Sequence, residues 1–210
     1  MKVRDITCDT PDCGCVKKVQ ALGYPAWRRF VLTCKEKRLM WFDNPKCASM
    51  TMKENFDLKF THAIPKNHTS YFKFVFVRNP YDRMVSNWKM FSNTPFAIDK
   101  IKSYSIDLVK NIEKINFKDF LKMTLKLNNH HWDEQYYFIR SKPDFIGRFE
   151  NLQEDFNKLC ELTNLPKKEL PYKNATQHSS YENYYDDETR AIVAKKYAKD
   201  IRTFNYKFGS

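Results

Sequence analysis

The chain has 210 residues, with 37 Lys and Arg against 25 Asp and Glu, giving a formal charge of +12 and a pI of about 9.3. That length suits one α/β domain and is short for two. Apolar residues at 42% and charged residues at 30% fit a globular protein with a thin core. With only four glycines the chain contains no G-x-G-x-x-G and no G-x-x-x-x-G-K-[ST] fingerprint.

The opening MKVRDITCDTPDCGC has charge and cysteines but no apolar core of a signal peptide. No apolar run approaches the ~20 residues of a bilayer-crossing helix, so a soluble protein without a membrane span is expected. Cys8, Cys13 and Cys15 are spaced C-x4-C-x-C. Zinc sites usually present C-x2-C pairs, so a loop with reduced thiols or one disulfide is preferred to half a metal site, and no metal is assigned. The excess of positive charge points to a polyanionic partner: nucleic acid, acidic glycan, membrane surface or a phosphorylated cofactor.

Residues 1–37 read as an irregular segment punctuated by Pro11, Gly14, Gly23 and Pro25. Arg38–Asn44 (RLMWFDN) reads as a short buried strand that stops at Pro45, with helical character following in KCASMTMKENF. Lys59–Ile64 is a second possible strand. Tyr71–Val77 (YFKFVFV) is the strongest, apolar on both faces as an interior parallel strand is. Pro80 suits the first position of a helix, and Tyr81, Met84, Val85, Trp88 and Phe91 then fall on one helical stripe. Asn116–Leu127 reads as a helix, Asp144–Glu150 as a strand, Leu152–Asn164 as a helix and Asp186–Ile201 as a C-terminal helix with an acidic first turn. Strands alternating with helices predict a single α/β domain over residues 38–210, a central parallel sheet flanked by helices.

In such sheets ligands sit beyond the carboxyl ends of the strands. Two strand–loop–helix junctions there carry suggestive residues. In WFDNPKCASMT a Pro-Lys turn and small residues lead into a helix N-terminus, where unpaired N–H groups attract anions. Lys46 adds a charge, Ser49 and Thr51 add hydroxyls, and Cys47 and Ala48 are small enough to let a phosphate approach. An ordinary capped helix after a turn has the same pattern. In FVFVRNPYDRMVSNW, Arg78 follows the strand and Ser86 lies eight residues on, a guanidinium and a hydroxyl suited to a phosphate dianion. Arg78 could equally cap the helix or pair with Asp82.

These segments resemble the two nucleotide-binding segments of sulfotransferases that use 3′-phosphoadenosine 5′-phosphosulfate (PAPS). The similarity is closest to the carbohydrate branch, the Golgi glycan and uronyl 2-O-like enzymes. DFIGRFENLQEDF and the tail YYDDETRAIVAKKYAKDIRTFNYKF resemble that branch too, so the likeness covers roughly residues 38–210. The resemblance implies a P-loop-like sulfotransferase fold and in-line sulfuryl transfer to a hydroxyl, most of all one on a carbohydrate, an acidic glycan among the candidates. It implies the 5′-phosphosulfate at Lys46, Cys47, Ala48, Ser49, Met50 and Thr51, with Lys46 also catalytic at the leaving oxygens. It implies the 3′-phosphate at Arg78 and Ser86, and adenine against Phe149. His62, in KFTHAIP, resembles the family's base, with His68 next in line. His131, Asp133 and Gln135 in HHWDEQ resemble acceptor-side residues. There are departures. Ala48 stands where the cytosolic branch has Gly, a Trp that often follows the loop is absent, and the cytosolic Arg-Lys-Gly clamp has no clear match. Lys173 or His178–Ser180 is a guess for its replacement.

The chain is expected to be cytoplasmic, with a fragment of a Golgi-lumenal protein as the alternative. Competing readings are a basic nucleic-acid-binding protein, a P-loop-like kinase, and an inactive relative kept as a PAPS-binding protein. The first lacks a zinc knuckle, RNP-like strand or helix-turn-helix pattern, and the kinase lacks its glycine-rich loop.

Overall fold

Four residues separate the strands β1 (Val31–Cys34) and β2 (Leu39–Trp41). So short a connection can only return the chain antiparallel, and Leu32 faces Trp41 across the ladder. The computed structural model describes residues 31–61, 67–93, 114–127, 129–170 and 180–210. After β2 come α1 (Ser49–Phe56), β3 (Lys59–Thr61), β4 (Phe72–Val77), α2 (Pro80–Asn93), α3 (Phe117–Lys126), β5 (Phe145–Arg148), α4 (Leu152–Leu162), α5 (Asp187–Lys196) and α6 (Ala198–Phe204). The chain divides into two compact units, one of residues within 1–77 and 135–173, the other of residues within 78–134 and 174–210.

The first unit holds one five-stranded sheet in the order β3-β1-β2-β4-β5. β2, β4 and β5 run parallel, in the register Trp41 with Phe74 and Val77 with Arg148. β1 is antiparallel to β2 and to β3. The α/β class and the parallel centre are as the sequence predicts, but the sheet as a whole is mixed. Its antiparallel part begins with β1, which lies inside the segment expected to be irregular. VLTC is only four residues long and buried throughout, so it shows no alternation by which to recognise a half-exposed strand.

Phe74 and Phe76 project into one core with Leu32, Trp41, Met52 and Phe56 of α1, and Phe156 and Leu159 of α4. Trp41 stacks on Phe74 with ring centroids 6.2 Å apart, and Phe56 meets the edge of Phe74 at 5.7 Å. Aromatic pairs in these offset and edge-on arrangements add about 0.5–1.5 kcal/mol each beyond their burial. Gly147 leaves room for this packing, because a β-carbon there would lie 2.4 Å from the Phe76 ring.

The second unit is helical. The predicted stripe of α2 buries Tyr81, Met84, Val85 and Phe91, and Trp88 packs against them. α3 contributes Phe117, Phe120 and Leu121, and its Asn116 cap accepts from the N–H of Asp119 at 2.9 Å. The C-terminal helix is broken in two at Tyr197, whose backbone leaves the helical region. Asp186 caps its first half in a capping box with Thr189. The Thr189 N–H and hydroxyl hold the Asp186 carboxyl down at about 2, below its usual range.

Gly147→Ala should lower stability by about 1–3 kcal/mol through overpacking against Phe76, read as a reduced midpoint in urea unfolding. An unchanged midpoint would show that the ring can move aside at no cost.

Candidate functional site

The first junction begins where β2 ends. The Phe42 N–H still reaches the Phe74 carbonyl at 3.0 Å, but Pro45 has no N–H and stops the ladder. Asn44 then turns inward and is wholly buried. Its Nδ2 donates to the Phe76 carbonyl at 3.2 Å and to Gln135 Oε1 at 3.1 Å. The Cys47 thiol donates to the same Oε1 at 3.3 Å. A turn closes over Pro45 and Lys46 through the Cys47 N–H and the Asn44 carbonyl, 3.1 Å apart.

Inside this frame Lys46 has φ 69° and Ala48 φ 67°, while Cys47 between them stays at negative φ. Alternation of this kind is the backbone pattern found in anion-binding nests. A non-glycine residue in the left-handed region costs about 1–2 kcal/mol. Ala48 also caps α1 and offers no side-chain acceptor to its first turn. The N–H groups of Ser49, Met50 and Thr51 therefore present the positive end of the helix without a capping side chain. Met50, in the same turn, is 62% exposed.

Ser49 does not face the nest alone. Its hydroxyl donates to Asp43 Oδ1 at 2.6 Å, and Lys53, one helical turn on, pairs with Asp43 Oδ2 at 3.0 Å. Phe149 follows directly on β5 at the carboxyl end of the parallel strands, half-buried.

In the second unit Arg78 is buried, and its Nε donates to Asp82 Oδ2 at 2.8 Å. This is the pairing with Asp82 that the sequence allowed, and it fixes the plane of the guanidinium. Ser86 lies one turn beyond Asp82 on α2 and is half-buried. Asn79, wholly buried between Arg78 and the helix, accepts from the Tyr81 N–H at 3.1 Å. Its Nδ2 reaches the carbonyls of Lys207 and Ser210 at 2.8 and 2.9 Å.

The expected acceptor residues have different settings. Gln135 is wholly buried with its amide oxygen held by Asn44 and Cys47. Through that oxygen it supports the loop. His131 and Asp133 are half-buried in the other unit. His131 Nδ1 lies 2.9 Å from Asn129 Oδ1, which also accepts the His131 N–H at 3.0 Å. Because that oxygen can only accept, Nδ1 carries the proton. The buried Arg83 donates to the Asp133 carbonyl at 2.7 Å and to the His131 carbonyl at 3.1 Å, and Asn87 adds 2.8 Å to the latter. Desolvation pushes the pKa of nearby Lys196 down, against the pull of Asp133 and Glu134.

His62, Lys173, His178 and the N-terminal cysteines lie outside the described residues. Among the described residues no cluster of three or more His, Cys, Asp or Glu is placed to hold a metal ion, and no helix is long and apolar enough to cross a membrane. Sequence reasoning missed Asp43, Asn44, Asn79 and Arg83 as contributors. Asp43 and Asn44 stood in the quoted junction, but nothing in their spacing separates a loop tether from an ordinary turn residue.

A mixed α/β sheet whose parallel strands lead into an uncapped turn defines a strand–loop–helix protein of the α/β class. The sequence model described as the sulfotransferase family matches residues 27–207, and the chain belongs to that family. Human carbohydrate sulfotransferase 9 is 30% identical over 168 residues, covering 70% of this chain and 36% of that protein. Mouse carbohydrate sulfotransferase 11 is 25% identical over 126 residues, covering 48% of this chain and 36% of that protein. The chain thus matches little more than a third of the length of these relatives. No solved structure gives a significant match.

Ala48→Gly should raise stability by about 1 kcal/mol, since glycine enters the left-handed region without the β-carbon penalty. Ala48→Val should lower it. Thermal unfolding of the two variants checks both directions, and a destabilised Ala48→Gly would refute the strain argument.

Proposed function

We propose that the chain transfers the sulfuryl group of PAPS to a hydroxyl of a carbohydrate. The observation that carries this reading is the turn at Lys46–Ala48, whose alternating backbone and uncapped helix start suit a phosphosulfate, in a chain of this family. The relatives' names supply the carbohydrate. PAPS, when bound, supplies an activated sulfuryl group with a bisphosphate as leaving group.

The chain's own residues then have distinct tasks. The N–H groups from Ala48 to Thr51 and the hydroxyls of Ser49 and Thr51 hold the 5′ end, while the Cys47 N–H closes the turn onto the Asn44 carbonyl. Lys46 supplies a full positive charge where negative charge grows on the leaving oxygen, the electrostatic part of catalysis. Arg78, oriented by Asp82, and Ser86 hold the 3′-phosphate, and Phe149 offers a ring to the adenine. His62 takes the proton of the acceptor hydroxyl at an imidazole nitrogen, a role for which imidazole is suited near neutral pH. His131 and Asp133 orient the acceptor. Binding of this kind rests on positioning and charge, as in phosphoryl transfer.

Adenosine 3′,5′-bisphosphate at about 100 times its Kd should stabilise the protein by about 2.7 kcal/mol, a rise of roughly 5–10 °C in Tm. Adenosine 5′-monophosphate should do much less. Arg78→Ala should weaken the bisphosphate by roughly ten- to a hundredfold, the worth of a charged hydrogen bond, and leave the monophosphate nearly unchanged. Equal response to the two nucleotides, or none, would overturn the reading. Salt-sensitive binding to random DNA without a bisphosphate effect would favour a nucleic-acid-binding protein instead.

In a transfer assay with labelled PAPS and a panel of glycans, His62→Ala should lose at least a hundredfold in kcat, the low end of general-base catalysis, with the bisphosphate Kd unchanged. Full activity in His62→Ala would remove it as the base.

A further inference from the structure

The loop that resembles the phosphosulfate site carries its own anion. Asp43 uses both carboxylate oxygens, one on the Ser49 hydroxyl at 2.6 Å and the other on the Lys53 ammonium at 3.0 Å. Ser49 and Lys53 are one helical turn apart on α1, so both point to the same side of the helix start. The pair is partly shielded, with Asp43 16% and Lys53 31% exposed, and solvent screens it less than an open surface pair. The chain order places this carboxylate two residues before the Pro45–Lys46 turn, within the loop that presents the uncapped N–H groups.

We infer that Asp43 is a built-in stand-in for the phosphate, holding Ser49 and Lys53 when no ligand is present and yielding them when one binds. The inference rests on the reading of this loop as the phosphosulfate site and adds a control on it. A phosphate arriving at Ser49 must take that hydroxyl from Asp43 and sit near a like charge. Both effects oppose binding. In reverse, Asp43 recaptures Ser49 and Lys53 as the bisphosphate product leaves, which speeds release. The carboxylate therefore trades affinity for turnover at the same loop. No covalent step is involved, only exchange of one hydrogen-bond and ion-pair acceptor for another.

The direction of the effect separates this role from a structural one. If Asp43 only braced α1, its neutralisation would loosen the loop and weaken binding. If it competes with the ligand, neutralisation tightens binding. The test is titration calorimetry of adenosine 3′,5′-bisphosphate on the full chain carrying Asp43→Asn, Asp43→Ser, Ser49→Ala, or Asp43→Asn with Ser49→Ala. Asp43→Asn should bind about tenfold more tightly, a change of about 1.4 kcal/mol, with the gain in the dissociation rate measured by stopped flow. Asp43→Ser, which keeps a short neutral acceptor, should shift the same way and serves if the amide variant folds poorly. In the Ser49→Ala background the gain should shrink, because Asp43 then has no hydroxyl to withhold. Binding by both neutral variants that is equal to or weaker than that of the unaltered chain overturns the inference and leaves the PAPS reading standing. An unaltered chain that does not prefer the bisphosphate to adenosine 5′-monophosphate overturns the PAPS reading and this inference with it.

Discussion

The buried amide of Asn44 is the tie on which the Pro45–Lys46 loop depends. It joins the loop to β4 through the Phe76 carbonyl and to the turn at Gln135 through that residue's Oε1. Gln135 in turn takes the Cys47 thiol, so one oxygen anchors both ends of the Pro45–Lys46 turn. These groups are shut away from water, where a lost partner costs the full desolvation of the group it leaves behind, about 1–3 kcal/mol. That penalty is comparable to the cost of holding Lys46 and Ala48 in the left-handed region. The strained turn is held because relaxing it would expose the amide network, and the network in turn accepts one unmet acceptor, Asn44 Oδ1.

α2 shows how much one helix can be asked to do. One face carries Met84, Val85 and Phe91 into an aromatic core with Phe120 and Trp132. Another carries Arg83 and Asn87, whose side chains hold the carbonyls of His131 and Asp133. That stretch has too few residues in any regular element to satisfy its own backbone, and a guanidinium with five donors supplies what a ladder would. A third line runs from Arg78 through Asp82 to Ser86. The spacing of four residues that puts Asp82 and Ser86 on one side of the helix also lets Asp82 hold Arg78 by Nε. Core packing therefore fixes the rotation of the helix, and the rotation fixes where the polar residues point.

Much of this was legible in the residues. Tyr71–Val77 was legible as an interior strand from a long run apolar on both faces, and Tyr81 to Phe91 as a buried helix face from its period. β1 escaped notice for the opposite reason: four buried residues have no period. The break at Tyr197 was invisible because Val193, Tyr197 and Ile201 keep helical spacing through it, while the backbone bends to seat the Tyr197 hydroxyl on the Trp132 carbonyl at 2.7 Å. Lys46 and Arg78 stand out in the sequence by type, because a phosphate demands a charge. Partners do not. Gln135 holds Asn44 and Cys47 through its amide oxygen, and a polar residue in a polar stretch carries no mark of such partners. Asn44 is its counterpart, a turn residue by type and a buried tether by position.

The scarcity of glycine takes on a different meaning once the loop is seen. Four glycines in 210 residues exclude the familiar nucleotide-binding signatures, and the exclusion is sound as a statement about sequence. What a phosphate needs, however, is a backbone whose successive N–H groups converge, and glycine is only the least costly way to reach it. Here Lys46 and Ala48 adopt the left-handed conformation themselves, and the Asn44–Gln135–Cys47 network holds them there. Side chains therefore impose from outside what glycine would allow from within. A loop built in this way is less free to rearrange than a glycine-rich one. Its response to an arriving anion must then fall on the side chains around it, and Asp43, Ser49 and Lys53 are the groups whose bonds can change while the turn stays fixed.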